Sequence, residues 1–171
     1  MDIRIRRARP DEAEVLTEIA HAAKRYWGYP ENWIEHWKAD LTITPDFIRN
    51  NEMYVATAGE EIVGCCAIVF SGSPTSDSPA ELEHMWIRPE RMGTGVGRAL
   101  FMHVRERAAD LKVPVLELSA DPNAEGFYQR MGAKRIGEVP AEMEGKPRVL
   151  PRMSVDLESV HKKEPPGWIK N

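Results

Sequence analysis

Leu82-Glu83-His84-Met85-Trp86-Ile87-Arg88-Pro89-Glu90-Arg91-Met92-Gly93-Thr94-Gly95-Val96-Gly97-Arg98-Ala99-Leu100 is the stretch on which the reading of this chain turns. Its apolar run stops at Pro89, which has no N–H to give to a sheet ladder and so closes a strand. Three glycines follow, alternating with small residues. Val96, Leu100, Val104, Ala108 and Leu111 then fall about four apart, the spacing of a helix's buried stripe. The order is therefore strand, glycine loop, helix start. The first amides of a helix lack internal partners, and the helix dipole adds partial positive charge there. Glycines let such a backbone approach a bulky anion, which makes a phosphate or pyrophosphate the natural guest.

Glycine-rich turns also open helices for purely structural reasons, so the loop alone does not name a ligand. A Rossmann dinucleotide site is disfavoured because Arg98 stands where the third small residue belongs, although Glu117 lies about twenty residues on. No Gly-Lys-Ser/Thr follows, which excludes a P-loop. The wider context is more specific. Leu82-x-x-Met85-x-Ile87-x-Pro89 followed by Met92-x-x-Gly95-x-Gly97 resembles the acetyl-CoA-binding motif of the GNAT (GCN5-related) superfamily of N-acetyltransferases. Asp121-Pro-Asn-Ala-Glu-Gly-Phe-Tyr-Gln-Arg-Met-Gly132 is similar to that superfamily's Asn-x-x-Ala-x-x-Phe-Tyr-x-x-x-Gly helix. The resemblance spans residues 2–156. Two positions depart from the pattern: Met92 replaces the usual Gln or Arg, with Arg91 one place earlier, and Asp121 replaces Asn, with Asn123 two residues on.

Composition sets the remaining bounds. The chain has 171 residues, 42% hydrophobic and 29% charged, which suits one globular domain with a single sizeable core. A formal net charge of −4 gives no basic footprint of a nucleic-acid binder. No apolar run reaches the ~18–20 residues of a membrane span, and Met1–Arg7 contains no apolar signal-peptide core. Adjacent Cys65 and Cys66 in an apolar run read as buried free thiols, with no disulfide framework and no metal site. The expectation is a cytoplasmic domain over 1–157, with a tail over 158–171 and neither nucleic-acid nor membrane partner.

Periodicity predicts strands at 2–7, 53–57, 61–70, from Ala80 to Pro89, at 114–119, 133–139 and 149–157. Helices are expected from Pro10-Asp11-Glu12, with Val15, Leu16, Ile19, Ala23 and Tyr26 as the apolar stripe. Others are expected at 31–41, after a Thr44 cap, after the glycine loop and over 123–131. This order fits an α/β (α+β) domain: a mixed, mostly antiparallel central sheet flanked by helices, the GNAT-like fold.

Acetyl transfer to an amine needs a held thioester, a polarised carbonyl, a base and an acid. Arg91, Met92, Gly93, Thr94, Gly95, Val96, Gly97 and Arg98 can hold a pyrophosphate, mainly through their amides. The resemblance implies that the strand backbone at Met85, Trp86 and Ile87 pairs with the pantetheine and polarises the acetyl carbonyl, with Asn123 as a further contact. It also implies Tyr128 beside the sulfur as general acid, although Phe127-Tyr128 equally reads as a packed aromatic face. An alkylamine of pKa ~10 must lose a proton before attack. Glu81 and Glu83 lie two apart on one strand face, with Leu82 and His84 on the other. Glu81 is the first choice as base and Glu83 the alternative, while His84 reads as a packed histidine. Trp27, Tyr29 and Trp33, crowded with Tyr26, His36 and Trp37, suit a cationic or aromatic acceptor or, equally, core packing.

The leading function is therefore acetyl-CoA-dependent N-acetylation of a primary amine on a small molecule or peptide, with acetyl-CoA as co-substrate and no metal. The resemblance adds a homodimer as a common assembly. A non-catalytic acyl-CoA-binding or sensing module on the same fold is the alternative from another class. A dinucleotide-dependent oxidoreductase is disfavoured by the glycine spacing.

Overall fold

A computed structural model of the chain describes residues 2–74 and 77–158. The expected tail, apart from Glu158, lies outside the described residues. Seven strands form one sheet in the order β1-β2-β3-β4-β5-β7-β6. They are β1 (Ile3–Arg7), β2 (Glu52–Ala58), β3 (Glu61–Phe70), β4 (Ala80–Ile87), β5 (Val115–Ser119), β6 (Lys134–Met143) and β7 (Lys146–Asp156). Every pair is antiparallel except β4–β5. The helices are α1 (Ala13–Tyr26), α2 (Glu31–His36), α3 (Lys38–Leu41), α4 (Pro45–Asn50), α5 (Val96–Asp110) and α6 (Glu125–Arg130).

The sheet is buried on both faces because two apolar stripes cover it. Val96, Leu100, Phe101, Val104 and Ala108 of α5 close one face against Ile68, Leu116 and Met153. Leu16 and Ile19 of α1 and Ile48 of α4 close the other against Met53, Val55 and Cys65. Strand alternation sends Cys65 and Cys66 to opposite faces, so neighbouring thiols are free and buried. Burial raises both thiols well above their ordinary value. The Thr44 cap forms as expected, its Oγ1 accepting from the Phe47 amide at 3.0 Å.

Three expectations need correction. Tyr26 does not join the α1 stripe; it is 56% exposed, and Ala13 and Ala20 are buried in the stripe. The expected helix over 31–41 breaks at Trp37, whose ψ of 3° takes it out of helical geometry. Residues 140–148 are not a loop between strands. β6 and β7 run on to a two-residue turn, Glu144-Gly145, with φ of 52° and 72°, the positive pair of a type I′ hairpin. The prolines that signalled a break are accommodated by register. Glu138↔Pro151, Pro140↔Val149 and Glu142↔Pro147 alternate with the intervening pairs, so all three prolines fall in one class. In the non-hydrogen-bonded class a missing N–H costs the ladder nothing.

Candidate active site

Two backbone irregularities build the site. The first is a bulge in β4. Cys65 pairs with Trp86 and Ala67 with Glu83, so Cys66 faces two residues, His84 and Met85. His84 takes φ 53°, the left-handed region that a side chain seldom occupies. Three contacts hold it there. Cys65 Sγ donates to the His84 carbonyl at 3.5 Å, Trp86 Nε1 donates to His84 Nδ1 at 3.1 Å, and the Phe47 ring packs edge-on with centroids 5.0 Å apart. Nδ1 is thus an acceptor, which fixes a neutral imidazole protonated at Nε2, and burial lowers its pKa. The bulge overturns the expectation that His84 shares the Leu82 face. Leu82 packs into the α5-side core with Met85 and Ile87 beyond the bulge, whereas the His84 ring lies against Phe47 and Trp86, which pack into the α1-side core.

The second irregularity is the parting of β4 from β5. These strands pair only at Ala80↔Leu116 and Glu81↔Glu117, after which β5 continues against β7 alone. One backbone edge of β4, from Glu83 to Ile87, is left open to an extended chain bearing amides. At the end of this opening stands the first turn of α5. Gly95 occupies its N-cap at φ 94°, no side chain caps it, and Gly93, Thr94 and Gly95 are all exposed. The loop is tied to β3 by Arg88 Nε on the Ile62 carbonyl at 2.7 Å and by Arg91 on Glu61 at 3.1 Å. Gly97 serves a different purpose, because a Cβ there would stand 3.3 Å from the Phe127 ring.

A cleft of about 1020 Å³ joins these features to the α1–α3 face. Tyr128 of α6 lines it, only 7% exposed and in ring contact with Phe101 and Phe127. Burial first, then the Cys66 thiol and the Asp121 carboxylate, push its phenol far above the ordinary value, so the hydroxyl keeps its proton at neutral pH. Glu81 and Glu83 both line the cleft but differ in their partners. Arg152 holds Glu81 in a fork, with Nη2 on Oε2 at 2.7 Å, and also donates to Glu117 at 2.9 Å and to the Ser119 hydroxyl at 3.1 Å. Glu83 has no ion-pair partner among the described residues; desolvation, then the Glu81 carboxylate, raises its pKa.

At the far wall is a polar knot. Lys24 Nζ donates to Asp121 Oδ2 at 2.8 Å, and the Tyr29 hydroxyl donates to the same carboxylate at 3.0 Å. Arg148 and Asn123 donate to the Tyr29 oxygen at 2.6 and 3.1 Å. Burial, with the Asp121 charge next, raises Tyr29 to about 12, as befits a neutral phenol. Trp37 lies under both cations, 4.6 Å from Lys24 and 5.0 Å from Arg148.

A family model described as an acetyltransferase (GNAT) domain matches residues 49–132. These residues contain β4, the glycine loop, α5 and Tyr128. The chain is 29% identical over 158 residues to the peptidyl-lysine N-acetyltransferase YjaB of Salmonella typhimurium, an alignment covering 88% of this chain and 96% of that protein. The chain carries a GNAT acetyltransferase domain. A GCN5-related N-acetyltransferase from Rhodopseudomonas palustris shares its fold at a TM-score of 0.72 and 19% identity, covering 91% of this chain and 96% of the other. The PaiA N-acetyltransferase from Thermoplasma acidophilum, solved with coenzyme A, does so at 0.68 and 19%, covering 91% and 99%. This chain is accordingly an N-acetyltransferase that uses acetyl-CoA. The uncapped α5 terminus and the open β4 edge fit the pyrophosphate and pantetheine of that co-substrate.

Most GNAT site residues named from the sequence converge on the cleft. Glu81, Glu83, Met85, Trp86, Ile87, Met92, Gly93, Gly95, Gly97, Arg98, Asn123, Tyr128 and Trp27 all lie on its wall. Arg91 and Thr94 belong to the same loop but are not part of the wall, and the Val96 side chain is buried in the core, leaving only its amide to contribute. Tyr29 and Trp33 stand behind the wall, stacked with centroids 6.0 Å apart. Trp37, from the aromatic cluster noted in the sequence, also lines the cleft, whereas Lys24, Arg148 and Arg152 were not picked out; Lys24 and Arg148 reach the wall, and Arg152 reaches Glu81, through tertiary pairing that leaves no local signal. Among the described residues no group of His, Cys, Asp and Glu is arranged to hold a metal ion, and no helix is long and apolar enough to cross a membrane.

Proposed function

We propose that the acceptor is a primary amine, that Glu83 takes its proton, and that Tyr128 protonates the departing thiolate. The observation that carries this reading is the placement, in the cleft between the parted strands and the uncapped helix, of one carboxyl without an ion-pair partner among the described residues and one buried phenol. Glu83 is preferred to Glu81 because Arg152 occupies both oxygens of Glu81. A carboxyl whose pKa is raised is also the better match for accepting an ammonium proton. The amine nitrogen then bonds to the acetyl carbon as the carbon–sulfur bond breaks. The β4 amides near the bulge supply donors for the oxygen that gains charge; the Tyr128 proton passes to sulfur, and the second proton lost by the attacking nitrogen restores the phenol.

The test is acetyl-CoA-dependent thiol release over a panel of amines, with calorimetry for acetyl-CoA binding. Tyr128→Phe should lower turnover by about 10²-fold or more while acetyl-CoA affinity is kept. Unchanged turnover removes Tyr128 from the mechanism.

A further inference from the structure

The knot at the far wall of the cleft carries unequal charge. Lys24, Asp121 and Arg148 are 13%, 12% and 17% exposed at their side chains, so all three are largely withdrawn from water. Lys24 and Asp121 neutralise each other at 2.8 Å. Arg148 reaches Asp121 only at 3.7 Å and spends one Nη2 proton on the Tyr29 hydroxyl. Its Nε and Nη1 find no acceptor among the described residues. The remaining neighbours, Tyr29 and Asn123, are neutral. Two cations against one carboxylate leave one positive charge, half-desolvated and lying on the faces of Tyr29 and Trp37.

Other carboxylates nearby do not answer it. Glu81 and Glu117 are taken by Arg152, Glu144 pairs with Asn32, and Asp40 is exposed. A withdrawn guanidinium with donors to spare binds an oxyanion as a fork, with a geometry a neutral group cannot match. Arg148 lies on the same face of β7 as Arg152, four residues along; Arg148 lines the cleft, whereas Arg152 meets it only through its pairing with Glu81, on the side where β4 and β5 part.

We infer that Arg148 is the specificity-determining residue for the acceptor, and that the acceptor is a small amine carrying its own anion, a carboxylate or a phosphonate. This rests on the proposed acetyl transfer to a primary amine. Glu83 takes the cationic end of the acceptor and Arg148 the anionic end, with Trp37 as the wall behind. The Lys24–Asp121 pair and the Tyr29 hydroxyl hold the guanidinium in place, so its position is set before the acceptor arrives.

The experiment compares matched acceptors: β-alanine with β-alaninamide, γ-aminobutyrate with its amide, and 2-aminoethylphosphonate with ethanolamine. Thiol release gives kcat/KM for each, and tryptophan fluorescence titrated without acetyl-CoA gives binding that needs no turnover. The intact enzyme should favour the anionic member by about 10- to 100-fold, as one charge-assisted contact allows, mostly in KM. The carboxylate and phosphonate arms identify which anion fits. Arg148→Gln should bring the ratio to about one, and Arg148→Lys, which keeps the charge but loses the fork, should leave a reduced ratio. Equal kcat/KM for charged and neutral members overturns the inference, as does a preference that survives Arg148→Gln. So does efficient acetylation of a lysine within a neutral peptide at the expense of every free zwitterion. Binding of the anionic member without thiol release from any amine keeps the Arg148 assignment and overturns the acetyl-transfer roles, which separates the two failures.

Discussion

Gly64 is the position where a single methyl group should damage both the fold and the site. It pairs with Ile87 across the β3–β4 ladder, just before the glycine loop. A Cβ there would stand 3.0 Å from Ile87 Cδ1, 3.0 Å from the Trp86 carbonyl oxygen and 3.0 Å from Val96 Cγ1. Carbon atoms settle at ~3.5–4.0 Å, so the carbon contacts must open by about half an ångström or more. Ile87 can swing its terminal methyl away. The Trp86 carbonyl belongs to the bulged strand and Val96 is fully buried in the first turn of α5, so neither can retreat without moving β4 or α5. Over-packing of this kind costs about 1–3 kcal/mol. At ~2–4 °C per kcal/mol for a chain of this size, Gly64→Ala should melt ~2–12 °C lower. Because the displaced elements carry the glycine loop and the open edge of β4, where we propose that the co-substrate lies, acetyl-CoA affinity should fall as well. Gly95→Ala is the comparator: a Cβ there meets nothing within 4 Å, and only the 94° φ opposes it, at a cost of about 1–2 kcal/mol. Urea unfolding and acetyl-CoA calorimetry on both variants decide the matter. A Gly64→Ala protein within ~0.5 kcal/mol of the parent and equal in affinity would refute the reasoning.

Glu83→Gln should remove the acid limb of the kcat/KM profile, which in the parent lies above the ordinary carboxyl range because the Glu83 pKa is raised, and should lower kcat/KM by about 10²-fold. Glu81→Gln should keep that limb but move it to lower pH, because the Glu81 charge is the second cause of the raised Glu83 pKa. Asp121→Ala strands Lys24 in a largely buried setting and should cost about 3–5 kcal/mol by denaturant titration. Asp121 itself sits below its ordinary 3.8: burial opposes ionisation, but the Lys24 contact and charge, the Asn123 amide and Tyr29 outweigh it. Its contribution is therefore fully present above pH 3.8 and is lost as pH falls through the lower folded value, so the parent should lose stability in that window more steeply than Asp121→Asn. The His84 pKa is lowered by burial from 6.5, so its contribution is present above pH 6.5 and lost below it. His84→Asn keeps a residue tolerant of positive φ and an acceptor for Trp86, and its melting temperature should depend less on pH between 5 and 7.

What could be read from the sequence is what local spacing dictates. The strand end at Pro89, the left-handed glycines and the four-residue stripe of α5 are set by residues within one turn of each other, and the loop forms where they place it. The same holds for the Thr44 cap and for Gly132 closing α6. The errors share another cause. The face carrying His84 depends on a bulge that the β4 residues do not announce; it exists because the ladder to β3 slips by one and the Trp86 indole and Cys65 thiol catch the displaced histidine. Pro140, Pro147 and Pro151 read as a break until register shows them in one pairing class. The Lys24–Asp121 contact joins residues 97 apart, and the Tyr29–Arg148 contact residues 119 apart.

The distribution of these errors follows the division of labour in the enzyme. The half of the cleft suited to the co-substrate is made of backbone, from β4 and the α5 terminus, and backbone geometry is written in short-range glycine and proline spacing. The half suited to the acceptor is made of side chains from α1, α3, α6 and the β6–β7 hairpin, which meet only after the sheet is complete. A motif can therefore announce acetyl-CoA while leaving the amine unstated. The amine has to be sought in the charge balance of the finished cleft, where, among the described residues, Glu83 has no cation and Arg148 must share the Asp121 carboxylate with Lys24.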